Sequence, residues 1–290
     1  MAESETPPRA GKLKEAGLAA LFLSPSLVLF GVFFFYPFEQ LVLRGLYRNN
    51  ASGSNLRYVG WGQYKDVLTG REFHDGLVHS VLYVLYTVPA GLVLGTLLAV
   101  AAHRKLRGIR IFQAIFSSTL ASSVAVASVM FLTLLNPSVG IFKVNWLNNI
   151  HIALFGVSIS SIWQNLGLSF IIVLAGLQTI PTELVEAATL DGFGPVRRFF
   201  RITLPLLSPV LMFLVVVLVV FALQAFAPVE IITGGGPARS SETLVFKIFQ
   251  RQQPNNLGEG SVMAVGLFVV SMIVTAIQFS LLNRRVHYGN

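Results

Sequence analysis

The stretch Glu186-Ala187-Ala188-Thr189-Leu190-Asp191-Gly192, completed by Ile202-Thr203-Leu204-Pro205, is a short charged passage between two long apolar ones. Of 290 residues, 54% are hydrophobic and only 12% are charged. Soluble domains carry roughly 25% charged residues. Long uncharged runs at this composition place the chain in a bilayer. A polar passage in such a chain offers a water-soluble partner one of its few places to grip.

Six segments are long enough for the roughly 20 helical residues that cross a hydrocarbon layer. They are 17–38, 77–102, 109–135, 153–180, 206–229 and 261–283. Backbone groups in lipid must bond internally, which favours helices, and the segments lack the two-residue alternation of a membrane barrel. The expected fold is an all-α membrane protein with six transmembrane helices. Residues 1–16, with Pro7, Pro8, Arg9, Lys12 and Lys14, read as a disordered cytosolic tail. The apolar run after them is too long for a signal-peptide core, so the first helix is retained.

An even number of spans puts both termini on one side. That side holds 12 basic residues, among them Arg104, Lys105, Arg107, Arg110, Arg197, Arg198, Arg201, Arg284 and Arg285, against six acidic ones. The other side holds nine, including Lys143, against seven, spread over loops at 39–76, 136–152 and 230–260. The basic excess marks the first side as cytosolic. The two balances account for the net charge of +8, so the basic character needs no nucleic acid. The outer loops, rich in Gly, Pro, Asn and aromatics, read as functional or mobile.

Passage 181–205 reads as two short helices. Thr182 is placed to cap the first, with Glu183 and Glu186 near its positive end. Leu184, Ala187, Ala188 and Asp191 fall along one side, and Asp191-Gly192 stops it. Gly194-Pro195 opens the second helix. Phe199, Phe200 and Ile202 give it an apolar side, Arg197, Arg198 and Arg201 a basic one, and Pro205 ends it. Two readings stay open on these residues. One is an amphipathic helix lying on the membrane; the other is a docking knob whose small residues Ala187, Ala188 and Gly192 let a partner come close.

The order Glu186-Ala187-Ala188-x3-Gly192-x9-Ile202-x-Leu204-Pro205 resembles the EAA signature of ABC-importer permease subunits. Leu174-Ala175-Gly176-Leu177-Gln178-x-Ile180-Pro181 and Asp191-Gly192 look like that family's carbohydrate-uptake branch. Thr233-Gly234-Gly235-Gly236-Pro237 is similar to the branch's TGGGP element, and Gly60-Trp61-Gly62-Gln63-Tyr64 to its G-hydrophobic-x-N-Y element. Gln63 stands where Asn is usual and Phe193 where Ala is usual. The resemblance covers about residues 18–285.

It implies a type I ABC-importer permease fold in the bacterial inner membrane, with a cytosolic coupling-helix loop. Glu186, Ala187, Ala188, Asp191, Gly192, Ile202, Leu204 and Pro205 would contact a cytosolic ATPase. The implied partners are two ATPase subunits, a second and non-identical permease, and an extracytoplasmic solute-binding protein. The chain has no G-x-x-x-x-G-K-[ST] phosphate cradle. ATP and Mg would therefore belong to the ATPases, and no cofactor is expected in this chain. No cysteine is present, and His74, His79, His103, His151 and His287 show no metal-ligand spacing.

The solute path has to be polar. Ser158, Ser161, Asn165 and Ser169 form a stripe at helical spacing, and Ser118, Thr119, Ser122 and Ser123 a second patch. Serines of this kind more often pack helices together. Gln164, Asn165 and Gln224 are costlier to bury in lipid. Gln164, Asn165, Gln224, Ser122 and Ser161 are the candidate path residues, with Tyr83, Tyr86 and Thr87 nearby. Gly91 and Gly95 read as helix packing. Gly234, Gly235, Gly236 and Pro237 read as a flexible turn contacting the binding protein rather than as an anion nest, and Arg239 as a loop cation open to a phosphate-bearing solute.

The expected function is import of a sugar or related polyhydroxylated solute, glycerol phosphate or its diesters included, by alternating access. The alternatives are an ABC importer of amino acids, phosphate or metals, and an ion-coupled carrier. Spans almost free of carboxylates disfavour the last. A membrane enzyme lacks any Ser/His/Asp, paired-carboxylate or HExxH arrangement.

Overall fold

The computed structural model describes residues 9–49, 56–103, 108–142, 145–253 and 255–283. Residues 1–8 of the polar tail, and Arg104, Lys105, Arg107, Lys143, Arg284 and Arg285, lie outside the described residues. The described residues are mostly helical. Helix α1 (Arg9–Phe30) continues through a π turn (Gly31–Phe35) into α2 (Tyr36–Arg44). An antiparallel hairpin, β1 (Tyr47–Asn49) and β2 (Leu56–Tyr58), and a short helix α3 (Gly62–Leu68) lead to the long α4 (Arg71–Ala102). Next come α5 (Ile109–Ser117), a 3₁₀ turn (Ser118–Ala121), α6 (Val124–Leu135) and α7 (Ala153–Gln178). Then follow α8 (Thr182–Leu190), α9 (Pro195–Arg198), a π turn (Phe199–Thr203) and α10 (Leu204–Leu206). The last elements are α11 (Ser208–Leu223), α12 (Ala227–Ile232), α13 (Leu244–Gln250) and α14 (Leu257–Asn283).

Among the described residues, four helices are long and apolar enough to cross a membrane, or six when each bent pair counts as one span. Several bounds differ from the sequence expectation. The helix is already running at Arg9, so the second half of the expected disordered tail is helical. Segment 109–135 is not one straight helix but breaks at Ser122–Ser123 with a bend of 103°. Segment 206–229 ends its regular helix at Leu223, with an irregular step before α12. The loop at 39–76 is built from α2, the hairpin and α3 rather than being irregular.

Both π turns sit just ahead of a proline, at Pro37 and at Pro205. A proline ring clashes with the carbonyl four residues back and supplies no N–H. Widening the preceding turn, with Tyr36 N–H donating to Gly31 O and Leu204 N–H to Phe199 O, lets the helix run on. Pro205 therefore does not end its helix, as the sequence suggested; the helix reaches Leu206 and bends by 70° at Leu207.

The core is α4 laid along α7 and flanked by α11, with Tyr83, Val157, Phe170, Val173, Leu214 and Leu218 fully buried. Lipid is as apolar as leucine, so such helices are held by close packing and hydrogen bonds rather than by exclusion of water. Small residues supply the closeness. A Cβ at Gly95 would sit inside the Ser169 side chain and 3.2 Å from its carbonyl carbon, and Gly91 faces Asn165 and Leu218. Gly167 lets α7 approach Thr119 and Phe116 O, and Gly176 admits Leu207 and Val210.

Beside this core, α2 rests on α14 through Phe38 and Phe268, whose rings are 4.8 Å apart. The Tyr64 hydroxyl of α3 donates to Val42 O at 2.8 Å. Burial pushes the Tyr64 phenol above its ordinary pKa, so it remains that donor.

Candidate functional site

The bend at Ser122–Ser123 and the irregular step after Leu223 meet at one cavity of about 480 Å³. Tyr83 and Thr87 line it from α4, and Ser161, Gln164, Asn165 and Leu168 from α7. Leu120 and Val124 come from the bent segment, Phe221 from the end of α11, Gln224, Ala225 and Phe226 from the irregular step, and Ala227 and Pro228 from the start of α12. Backbone that leaves the helix at membrane depth is tolerated only in protein or beside a polar space. The breaks and the cavity account for each other in that sense.

Four of the five predicted path residues, Gln164, Asn165, Gln224 and Ser161, line this cavity together. Ser122 does not line it; it contributes its carbonyl, which accepts from Gln164 Nε2 at 3.2 Å. Gln164 thus satisfies a backbone oxygen freed by the bend. Tyr83 Oη and Ser161 Oγ share a hydrogen bond of 2.6 Å, and Thr87 donates to Tyr83 O at 2.8 Å. The Asn165 and Gln224 amides have no partner among the described residues and border the open space. Among the described residues, no charged side chain lines the cavity.

Ser118 and Ser158 donate to carbonyls three residues back, and Ser169 is buried against Gly95. Tyr86 packs on Phe155, its ring edge to face at 5.5 Å.

The passage 182–206 is an elbow. Pro181, in extended conformation, precedes α8, so Thr182 is its first helical residue and not its cap. Proline fixes the entry torsion and Thr182 follows inside. At the other end Gly192 takes φ +76°. Its N–H donates to Thr189 O at 3.1 Å, and Phe193 N–H to Ala188 O at 2.9 Å, the paired bonds that close a helix through a left-handed residue. Gly194 and Pro195 then start α9.

Two contacts set the elbow's angle. Arg198 Nη1 donates to Thr189 Oγ1 at 2.9 Å, and the Arg197 guanidinium lies 4.5 Å over the Phe193 ring. Glu186, Ala187, Asp191 and Gly192 are exposed, Ala188 is buried, and Ile202, Leu204 and Pro205 are half-buried. Leu190 is 89% exposed, Val196 69% and Phe200 61%. These three large apolar side chains flank the charged ones on this elbow.

The 233–243 loop, expected from its glycines as a flexible turn, carries a set of internal hydrogen bonds. Gly234, Gly235, Ala238 and Arg239 all take positive φ. Ser241 Oγ reaches both Thr233 Oγ1 at 2.8 Å and Gly236 O at 2.7 Å, and Ser241 N–H donates to Gly235 O at 3.2 Å. Gly235 is also sterically fixed: a Cβ there would lie 2.6 Å from the Phe246 ring and 2.8 Å from Glu242 Cγ.

Gly235→Ala is therefore expected to cost about 1–3 kcal/mol. Gly234→Ala, whose nearest neighbour is 4.0 Å away, should cost less. Thermal-denaturation midpoints of the two variants check the order.

Arg239 is not free for a solute. Its two terminal nitrogens donate to the two Glu72 carboxylate oxygens at 2.7 and 2.6 Å, and Nε to Glu242 at 2.9 Å. Hydrogen bonding to Glu72, then to Glu242, holds the guanidinium above its ordinary pKa, so it stays charged. Lys247 pairs with Glu242 at 3.1 Å and Glu72 at 3.3 Å, and Arg251 with Glu72 at 3.4 Å and Glu259 at 3.7 Å. Sequence reasoning missed this cluster because its partners lie 167 residues and more apart. The only local signal was three cations and two carboxylates within 239–259.

Comparison with known proteins fits this architecture. Residues 71–288 match the family described as binding-protein-dependent transport system inner membrane component. The sn-glycerol-3-phosphate transport system permease protein UgpA of Rhizobium meliloti (strain 1021) is 34% identical over 284 residues, covering 94% of this chain and 97% of that protein. The protein of the same name from Brucella abortus biovar 1 (strain 9-941) is 34% identical over 283 residues, covering 94% and 97%.

Among solved structures, a chain of a bacterial ABC transporter involved in the import of the acidic polysaccharide alginate aligns with a TM-score of 0.79 at 18% identity, covering 94% of this chain and 98% of that one. The alginate transporter in complex with a pentasaccharide-bound periplasmic protein gives 0.81 at 19% identity, covering 94% and 96%. At that identity the likeness speaks to the fold alone. With long apolar helices, a polar cavity between them and a family match over most of its length, the chain belongs to the binding-protein-dependent transport system inner membrane components.

Proposed function

We propose that the chain is a permease subunit of an ATP-driven importer of a sugar or related polyhydroxylated solute, glycerol phosphate included. The observation that carries this reading is the cavity at the two helix breaks. It presents Asn165 and Gln224 amides, the Tyr83–Ser161 hydroxyl pair and no charge. Amides and hydroxyls match solute hydroxyls, which offer both donors and acceptors. The anion of a phosphorylated solute would be met outside this cavity, by a partner, because Arg239 is already engaged.

In this reading all six apolar segments cross the membrane, and both termini and the 182–206 elbow face the cytosol, following the excess of Lys and Arg there. The exposed face of α8, with Glu186 and Ala187, and the closing turn after it, with Asp191 and Gly192, seat in an ATPase subunit that binds ATP and Mg. Closure of two such ATPases moves α11 through the elbow and opens the cavity outward. A second, non-identical permease completes the path. A loaded binding protein docks on the opposite face, where Gly234, Gly235, Gly236 and Pro237 lie. The relatives named for sn-glycerol 3-phosphate support a small polyol derivative as solute.

Transport by the reconstituted complex tests this. Asn165→Leu and Gln224→Leu should each lower solute uptake about tenfold, the scale of one lost hydrogen bond of about 1.4 kcal/mol, while ATP hydrolysis stimulated by the loaded binding protein persists. Uptake that continues after ATP depletion and stops on collapse of ion gradients would refute the proposal.

A further inference from the structure

Six charged groups form one cluster around Glu72, at the start of α4. Arg239 grips its carboxylate with both terminal nitrogens, and Lys247 and Arg251 reach the same Oε2. Glu242 and Glu259 supply the remaining negative charge. Three carboxylates thus meet three cations, and the set is neutral only while Glu72 is charged. Two members are deep: the Lys247 and Glu242 side chains are 3% and 7% exposed. A buried pair depends on its neighbours, since an uncompensated charge there is costly.

The cluster holds a loop that would not keep its shape alone. Ala238 and Arg239 are consecutive non-glycine residues at φ +48° and +65°, a conformation that persists only where the surroundings dictate it. The Arg239 fork on Glu72 is the longest-range of those dictating contacts. On the other flank, the Ser80 hydroxyl of α4 accepts from Leu244 N–H at 2.9 Å, and a Cβ at Gly76 would lie 2.9 Å from Lys247 Cδ. Loop 233–243 and α13 are therefore clamped to the first turns of α4 from both sides.

We propose that Glu72 is a positioning residue: its carboxylate fixes loop 233–243 as a pre-formed docking element for the solute-binding protein. This rests on the reading above that the loop meets that protein. A docking surface formed in advance avoids the ordering that a flexible loop would undergo on contact.

The chain has no cysteine, so Ala238→Cys gives it one labelling site, and a complex assembled in nanodiscs with cysteine-free partner permease and ATPases carries a single nitroxide. With Glu72 intact the label should give the spectrum of a restricted loop. With Glu72→Gln it should become mobile, and the concentration of loaded binding protein needed for half-maximal stimulation of ATP hydrolysis should rise at least tenfold, with basal hydrolysis unchanged. Glu72→Asp, charged but one methylene shorter, should fall between. Adding Arg239→Gln to Glu72→Gln should change both readouts by less than Arg239→Gln does alone, because the two changes share the Arg239–Glu72 fork and only the Arg239–Glu242 bond is lost in addition.

A label that stays restricted in Glu72→Gln overturns the proposal. A mobile label with unchanged docking overturns it too, and locates the fault in the loop's role as docking element. ATP-dependent uptake by the unmodified complex tests the permease assignment separately.

Discussion

Gly192→Val should leave the permease folded and inserted while cutting solute uptake by more than about tenfold. Space is not the obstacle, since a Cβ at Gly192 meets no atom within 4 Å. Backbone conformation is. At φ +76° a β-branched residue costs about 1–2 kcal/mol. The cheapest relief is to unwind the closing turn at Thr189 and Ala188 and swing the elbow. The exposed face there is the one we assign to the ATPase, so added bulk also obstructs seating.

The expected signature is uncoupling: basal ATP hydrolysis by the complex survives, and stimulation by loaded binding protein and uptake are lost together. Gly192→Ala, smaller but strained in the same way, should show a partial effect. Normal uptake by Gly192→Val would remove this residue from the coupling assignment.

Gly95→Val should have the largest effect on stability. Its Cβ would occupy the Ser169 side chain and crowd Phe170 N at 3.3 Å, at the centre of the α4–α7 packing. Neither helix has a flexible tip there to move aside. The cost is about 3 kcal/mol, more than a hundredfold in the folded population. Thermal melting of the detergent-solubilised permease measures it. Gly95→Val combined with Ser169→Gly returns room at the point of contact and should recover much of the loss. A Gly95→Val variant that melts like the unmodified protein would mean that α4 and α7 do not pack here.

Much of this was legible in the sequence, and particular residues say why. Apolar length located the helices, because a bilayer imposes one length on all of them. Asn165, Gln164 and Gln224 identified the cavity wall, because an amide is costly against lipid and must face something polar. The breaks at Ser122–Ser123 and after Leu223 were not legible. Window hydropathy is blind to direction, and a 103° bend leaves composition unchanged. In hindsight the run Ser117-Ser118-Thr119 was a signal: Ser118 and Thr119 bond to carbonyls three residues back, and such local bonds compete with the regular helix.

Pro205 misled for the opposite reason. It reads as a stop, but a widened turn at Phe199–Thr203 absorbs it. The charged cluster was invisible because pairing across the chain leaves no periodicity, and the glycine run concealed an internally hydrogen-bonded loop in which Gly235 answers to crowding as well as to turning.

The absorbed proline has a mechanical consequence. Because the chain from Pro195 to Leu206 stays one stiff arm and meets α11 at 70°, the pair behaves as a bell crank. In the coupling reading proposed above, thrust along the first arm would arrive at the second mainly as sideways swing. Phe221 at the far end of α11 and Gln224 just beyond it line the cavity, so on that reading a small stroke at the Gly192 end would change the cavity's width.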